Sequence, residues 1–277
     1  MIALLVDDFV RSALREDLGR AGDLTTDAIV PADAQGTGRI VARESGVVSG
    51  LFVVERVFAV LDPRVHVASA VADGDRVSPG TVVATVSGPL RALLTGERTA
   101  LNLISRLSGV ATATSRLVEA VAGTRATIVD TRKTTPGMRA LEKAAVRDGG
   151  GANHRFGLDD AILIKDNHVA VAGGVTAAIE AARRHAGHLV KIEVEVDTLA
   201  QLDEALAARA DVVLLDNFTL EQLREAVART GGRALLEASG RIDAATVRAV
   251  AETGVDLISS GALTHSARIL DFGFDID

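Results

Sequence analysis

Cysteine, tryptophan and tyrosine are absent from the 277 residues, and each absence narrows what the chain can be. Without cysteine there is no disulfide and no thiolate metal site, which favours an intracellular setting. Seven phenylalanines make up the whole aromatic complement, too few for the base-stacking platforms of single-strand binders. Lysine is scarce: four of the 30 basic residues, at positions 133, 143, 165 and 191, leaving 26 arginines. A net charge of −7 lacks the basic excess that binding to a phosphate backbone requires, so no nucleic-acid partner is expected. No run of about 18 apolar residues occurs, so no membrane span is expected. The opening MIALLVDDFVRSALRED meets Asp7 and Asp8 early and reads as an amphipathic helix rather than a leader. A cytoplasmic location is the expectation.

What remains is a chain rich in core-forming residues, 48% of them hydrophobic. From about residue 124, short apolar runs alternate with helical patterns. The runs cover 126–130, 161–165, 191–196, 211–216, 234–239 and 256–260. Repeated βα units of this kind imply an α/β fold with a parallel sheet, and their short spacing favours a barrel over an open doubly wound sheet. Six strands are two fewer than the eight of a full barrel. No G-x-G-x-x-G follows a strand, so a dinucleotide fold has little support.

The first hundred residues have another character, with helices expected near 3–18 and 51–61. The stretch HVASAVADGDRVSPGTVVATVSGPL reads as short strands joined by Gly, Asp and Pro turns. It resembles half of a lipoyl or biotinyl carrier domain. A carrier needs a modifiable lysine there, and none precedes Lys133, so the stretch reads as a scaffold. Residues 97–122 read as helices joining it to the barrel.

In parallel βα folds ligands bind beyond the carboxyl ends of the strands. Those ends are polar here: Thr131-Arg132-Lys133, Lys165, Glu195, Asp216, Ser239-Gly240 and Ser260-Gly261. In KIEVEVDT, Lys191, Glu193 and Glu195 share one face, which makes the lumen partly ionic if that face points inward. Glu195 then lies nearest the catalytic mouth, whereas Lys191 and Glu193 are equally well read as a buried pair filling the bore. Ser-Gly at two consecutive late strands lets backbone N–H groups approach a phosphate. The glycine-rich GGGANHRFGLDD brings His154 and Arg155. With Arg132, Lys133 and Lys165 these form a cationic cluster for several anionic oxygens. Glu195 and Asp216 supply hard oxygen ligands for Mg²⁺. A Schiff-base role for Lys165 is a rival reading.

The stretches TGERTALNLISRLSGVAT, DTRKTTPGMRALEKAAVRDGGGANHRFGLDDAILIKDNH, IEVEVDT, LLDNF, EASGRI and ISSGALTHSA together resemble the quinolinate phosphoribosyltransferase family of NAD synthesis. Ala144 and Asp148 depart from the residues usual there, with consequences for local packing. The resemblance implies a seven-stranded, incomplete α/β barrel over 109–265. An N-terminal α/β sandwich over 1–108 would be rejoined by the tail 266–277. It also implies a homodimer and Mg²⁺ bound with phosphoribosyl pyrophosphate, without an organic cofactor. Arg132, His154, Arg155 and Lys165 would hold quinolinate's carboxylates, with Arg98 reaching in from the partner subunit. Thr131, Lys133, Lys165, Glu195, Asp216, Ser239, Gly240, Arg241, Ser260 and Gly261 would hold phosphoribosyl pyrophosphate, with His265 nearby. Lys133, Glu195 and Asp216 are the expected catalytic residues, and Glu195 and Asp216 the metal ligands. The family's paralogue in molybdenum transport shares the fold and is the alternative; the combination of TRK, NHR and IKDNH favours the NAD enzyme.

Overall fold

The structure, a computed structural model, describes residues 2–276. Its contacts group into two units. One comprises the chain up to Ser115, Thr134–Gly150 and the chain from Thr264; the other comprises Arg116–Lys133 and Gly151–Leu263. The chain therefore passes back and forth between them rather than dividing once.

The first unit is built on β1 (Gln35–Ala42), β2 (Gly46–Val47), β3 (His66–Ser69), β4 (Arg76–Val77) and β5 (Val82–Pro89). The last strand of the chain, Phe272–Ile276, pairs antiparallel with β1 and completes a four-stranded sheet together with β5 and β3. Helices Ile2–Leu18 and Leu51–Leu61 occur where the apolar periodicity places them. The rings of Phe58 and Phe274 stack at 6.4 Å between centroids, joining the second helix to the last strand in one core.

The helices expected from residue 97 are one continuous helix, Leu90–Ala120, of 31 residues. Glycine survives inside it because of a close approach: a Cβ on Gly109 would lie 2.1 Å from the carbonyl oxygen of Arg268. Ionic bracing is buried here too. Glu142, fully inaccessible, accepts from Arg106 Nη2 at 2.8 Å and from the amide and hydroxyl of Thr135 at 2.9 and 2.8 Å. The segment continuing from Lys133 is thereby tied to a helix. Asp148 accepts from Ser49 Oγ at 2.6 Å, and Ala144 lines a cavity of about 280 Å³ in the same unit.

The second unit holds β6 (Thr127–Val129), β7 (Ile162–Ile164), β8 (Ile192–Val196), β9 (Val212–Asp216), β10 (Leu235–Ser239) and β11 (Leu257–Ser259); the returning strand is β12 (Phe272–Ile276). All six pair in parallel in the order β6-β11-β10-β9-β8-β7. These are the six strands read from the sequence. Ala152 adds a single parallel bridge to Val129 on the free side of β6, the only trace among the described residues of a seventh strand.

Helices Leu199–Ala207 and Leu220–Thr230 start with reciprocal caps, Thr198 with Gln201 and Thr219 with Gln222, which satisfy amides that a helix start leaves unbonded. At the amino ends of the strands an aspartate ties two neighbouring pairs: Asp211 accepts from the amide of Ile192, Asp256 from that of Leu236. Lys191 belongs to this end. Its side chain is 73% exposed and its Nζ lies 3.0 Å from Asp211. The Lys191–Glu193 pair considered from the sequence does not form, because Lys191 precedes the strand and turns outward.

Candidate active site

The face of β8 that carries Glu193 and Glu195 continues across the sheet. In register, Glu193 lies beside Val212, Glu195 beside Leu214, Leu214 beside Glu237, and Asp216 beside Ser239. Contacts with His154 group Glu193 and Glu237 as a floor, although register sets Glu237 level with Glu195, and Glu195 and Asp216 form a rim.

The floor is closed off from water. Glu193 is 7% exposed, Glu237 1% and Asp130 not at all. Asp130 follows β6 and receives Asn153 Nδ2 and the His154 amide, both at 2.8 Å, so it shapes the turn after the Ala152 bridge. His154 Nε2 lies 2.8 Å from Glu193 Oε2 and 3.7 Å from Glu237 Oε2. Its Nδ1 accepts from the Arg155 amide at 2.7 Å. Both ring nitrogens are engaged by the protein. Burial, then the charge of Glu193, raises the Glu237 carboxyl to about 7. His154, Glu193 and Glu237 are also the one group of three among the described residues spaced to hold a metal ion, with ligand atoms within 4.8 Å of one another.

Arg132 and Arg155 stand over this floor. The Nε of each is buried without a hydrogen-bond partner, and Arg155 Nη1 donates to the Ala161 carbonyl at 3.1 Å. Burial and the nearby Arg132 hold the Arg155 guanidinium below its ordinary value. Two half-buried arginines, each with a buried Nε donor unspent, call for anionic oxygens, the fork geometry matching carboxylate or phosphate.

At the rim, Glu195 and Asp216 are half-buried. Burial and then Asp216 raise the Glu195 carboxyl, with Lys165 opposing; burial and then Asp197 raise Asp216, with Lys133 opposing. Asp166 adds further repulsion to both. This donor set of carboxylate oxygens with uncompensated charge fits a hard divalent cation, which asks for one or two carboxylates and completes its shell with water or phosphate.

Backbone strain gathers at the same edge. Among the described residues three non-glycines have positive φ, and two of them, Asn217 at 54° and Arg241 at 50°, follow β9 and β10. Between them lies Gly240 at φ 107°, where a Cβ would fall 2.3 Å from Asn217 Oδ1. Strain of this kind persists where function needs it. Thr131 accepts from the Lys133 amide at 3.0 Å, and Lys133 and Lys165 are exposed. Ser260 is buried, its hydroxyl 3.3 Å from the Ile242 carbonyl.

Of the residues expected at the site, the parallel-sheet unit brings together Thr131, Arg132, Lys133, His154, Arg155, Lys165, Glu195, Asp216, Ser239, Gly240, Arg241, Ser260 and Gly261. Arg98 and His265 belong to the other unit. Arg98 is exposed on its helix, 3.9 Å from Glu97; His265 Nδ1 lies 2.6 Å from Ser266 Oγ. Asn153 and Glu237 escape a reading confined to strand ends, and such a reading does not single out Asp130, which closes the first run. The signal for Glu237 is a lone carboxylate in the middle of the apolar ALLEAS.

A parallel βα sheet whose carboxyl edge combines a cationic cluster, paired carboxylates and strained small-residue loops defines an enzyme acting on small, highly anionic substrates. The comparisons carry the assignment further. The sequence model of the quinolinate phosphoribosyl transferase C-terminal domain matches residues 110–275, and that of the N-terminal domain matches 23–108. The chain is 51% identical over 276 residues to the nicotinate-nucleotide pyrophosphorylase (carboxylating) of Mycobacterium leprae, covering 97% of this chain and 96% of that protein. It is 38% identical to quinolinate phosphoribosyltransferase (decarboxylating) 1b of Nicotiana tabacum, covering 97% and 81%. The crystal structure of NadC from Streptococcus pyogenes superposes with a TM-score of 0.95 at 45% identity, covering 98% of this chain and 96% of that one. The chain belongs to the quinolinate phosphoribosyltransferase family.

Proposed function

We propose that the chain transfers the phosphoribosyl group of phosphoribosyl pyrophosphate to quinolinate with loss of CO₂, yielding nicotinate mononucleotide and pyrophosphate. The observation that carries this reading is the pair of buried, unbonded guanidinium nitrogens on Arg132 and Arg155, beside a separate acidic rim opposed by Lys133 and Lys165. One sub-site suits a planar dicarboxylate, the other a ribose with its diphosphate. Family membership supports the same assignment.

In this reading Arg132, Arg155 and Lys165 hold the two carboxylates, and His154 supports Arg155 through its amide. Thr131, Lys133, Ser239, Gly240, Arg241, Ser260 and Gly261 cradle the phosphates. Mg²⁺, held by Glu195 and Asp216, would supply charge neutralisation for the departing pyrophosphate. The pyridine nitrogen attacks ribose C1′ as the C1′–O bond breaks and pyrophosphate takes the electron pair. Lys133 neutralises that leaving group, while Glu195 and Asp216 oppose the positive charge growing on the ribose. This is positional and electrostatic catalysis, and no enzyme nucleophile is needed. The ring nitrogen, now quaternary, stabilises the electron pair left on C2 when the C2 carboxylate departs as CO₂; a proton then fills that position.

The active form is a homodimer with Arg98 supplied across the subunit interface and His265 near the phosphates, and the location is cytoplasmic. No helix among the described residues is long and apolar enough to cross a membrane. The test is an assay with quinolinate, phosphoribosyl pyrophosphate and Mg²⁺, following nicotinate mononucleotide and CO₂, with nicotinate in parallel. Product from quinolinate alone is expected. Equal turnover of nicotinate would overturn the two-carboxylate assignment.

A further inference from the structure

We propose that Glu237 is a positioning residue for this site: with Glu193 it fixes His154 as the neutral imidazole protonated on Nε2, and so aims the backbone that carries Arg155. The proposal rests on the functional reading above for its kinetic consequence, and on geometry for the rest. The Nε2–H bonds Glu193 at 2.8 Å, while Glu237 Oε2, 3.7 Å away, lies within reach of its charge but not of a hydrogen bond. Nδ1 meets an amide donor, the Arg155 N–H, at 2.7 Å, so it is an acceptor and carries no proton. One oxygen on each carboxyl, Glu193 Oε1 and Glu237 Oε1, is buried with no partner.

Two ionised carboxylates beside one N–H that bonds only Glu193 oppose each other in a dry interior; a proton on Glu237 removes the conflict. The titratable groups facing Glu237 are Glu193 from β8, His154 from the turn after Ala152 and Asp130 after β6, with the hydroxyl of Ser259 from β11. In register, the flanking strands β9 and β11 set only Leu214 and Leu257 beside it. No lysine or arginine is among these neighbours; His154 and the Ser259 hydroxyl favour the anion, and burial and Glu193 outweigh them.

The neutral form of Glu237, raised to about 7 by burial, prevails below that pH and is lost as pH rises through it. Ionisation, with the proton released to solvent, then places a second negative charge under the sub-site of a dianionic substrate and beside the Glu193 carboxylate that holds His154 Nε2–H. The two anions move apart, the ring follows, and the 153–155 turn that it anchors through the Arg155 amide shifts. The wild-type KM for quinolinate should therefore rise between pH 6 and pH 8.5 with kcat little changed. Glu237→Gln makes the neutral carboxyl permanent in an isosteric side chain and should flatten that rise. At pH 8.5 its KM should lie about three- to tenfold below wild type, a tenfold change corresponding to one unit of pKa linkage.

A second readout does not depend on turnover. The ¹⁵N shifts of the six imidazoles, with His154 assigned by its loss in His154→Gln, should show a protonated Nε2 and a bare Nδ1 at pH 6. In wild type they should change with a midpoint near 7; in Glu237→Gln they should stay constant. A pH-dependent KM that is identical in wild type and Glu237→Gln would overturn the proposal, as would an Nδ1–H tautomer or stoichiometric divalent metal bound through His154 and Glu237. If quinolinate is not turned over while the imidazole shifts behave as expected, the functional reading fails and the positioning role stands.

Discussion

The floor and the rim of the parallel sheet both carry carboxylates, yet they are finished to different degrees. On the floor, Asp130 and Glu193 meet donors from the protein itself, Asn153, the His154 amide and the His154 ring, at 2.8 Å each. At the rim, Glu195 and Asp216 oppose each other and Asp166, with lysines acting only at a distance. These floor contacts all come from within the fold, although Glu193 Oε1 and Glu237 Oε1 stay buried without a partner. At the rim Asn217 Nδ2 donates to Asp216 at 2.6 Å, and the half-buried carboxylates otherwise stay open to solutes. A site can therefore be recognised by which of its charges the protein declines to neutralise.

The most forceful way to break this contrast is at the rim's cation. Lys133→Ala should lower kcat about 100-fold, the usual cost of removing one preorganised charge partner of a transition state, while leaving the far-ultraviolet CD spectrum and thermal midpoint near wild type. Normal turnover at saturating substrate would remove Lys133 from the mechanism.

Glu237→Gln tests the floor through stability. A carboxyl whose folded value is raised to about 7 from 4.5 makes the fold lose stability as pH climbs between those values. The loss is of order 3 kcal/mol at most, at about 1.4 kcal/mol per unit. The variant should melt higher than wild type at pH 8 and equally at pH 4.5, read by differential scanning calorimetry. An equal difference at both pH values would mean a packing effect.

Glu195→Gln and Asp216→Asn sharpen the contrast from the other side. Both carboxyls are raised, so each ionised group at neutral pH costs the empty fold some stability. Each substitution should raise the melting midpoint by about 1–2 °C without ligand, allowing for the partial exposure of these groups. Each should also abolish the further stabilisation that Mg²⁺ with phosphoribosyl pyrophosphate gives wild type. The smallest effect belongs to Lys191→Ala. Its exposed pair with Asp211 is worth about 0–1 kcal/mol, and kcat/KM should not move.

Much of this arrangement was legible in the chain. The six apolar runs appear as β6 to β11 within a residue or two of their expected ends, because repeated βα units leave little choice of topology. Strand-end residues were legible for the same reason: position in the unit decides exposure to the catalytic edge. Three matters were not. Glu237 sits mid-strand, where only the approach of the His154 ring to it and to Glu193 shows that it shares the floor. Lys191 follows the alternation of its strand on paper but lies before the first paired residue, so its side chain is free to turn to Asp211. The single long helix reads from the sequence only as helices over 97–122; the glycines inside it, Gly96 and Gly109, serve close packing that depends on residues such as Arg268 that are distant in sequence.

The pairing of β12 with β1 has a consequence for how the molecule is made. Arg43 and Asp275, which form an ion pair beside that strand contact, lie 232 positions apart. During vectorial synthesis β1 emerges early and waits, with one edge uncovered, until nearly every other element has been translated. The unit containing the amino-terminal half of the chain is thus completed last, after the parallel sheet, whose strands all lie between. An exposed strand edge on an unfinished chain is a template for wrong pairing, and the interval in which that edge stands open is set by the length of the catalytic unit inserted before its partner.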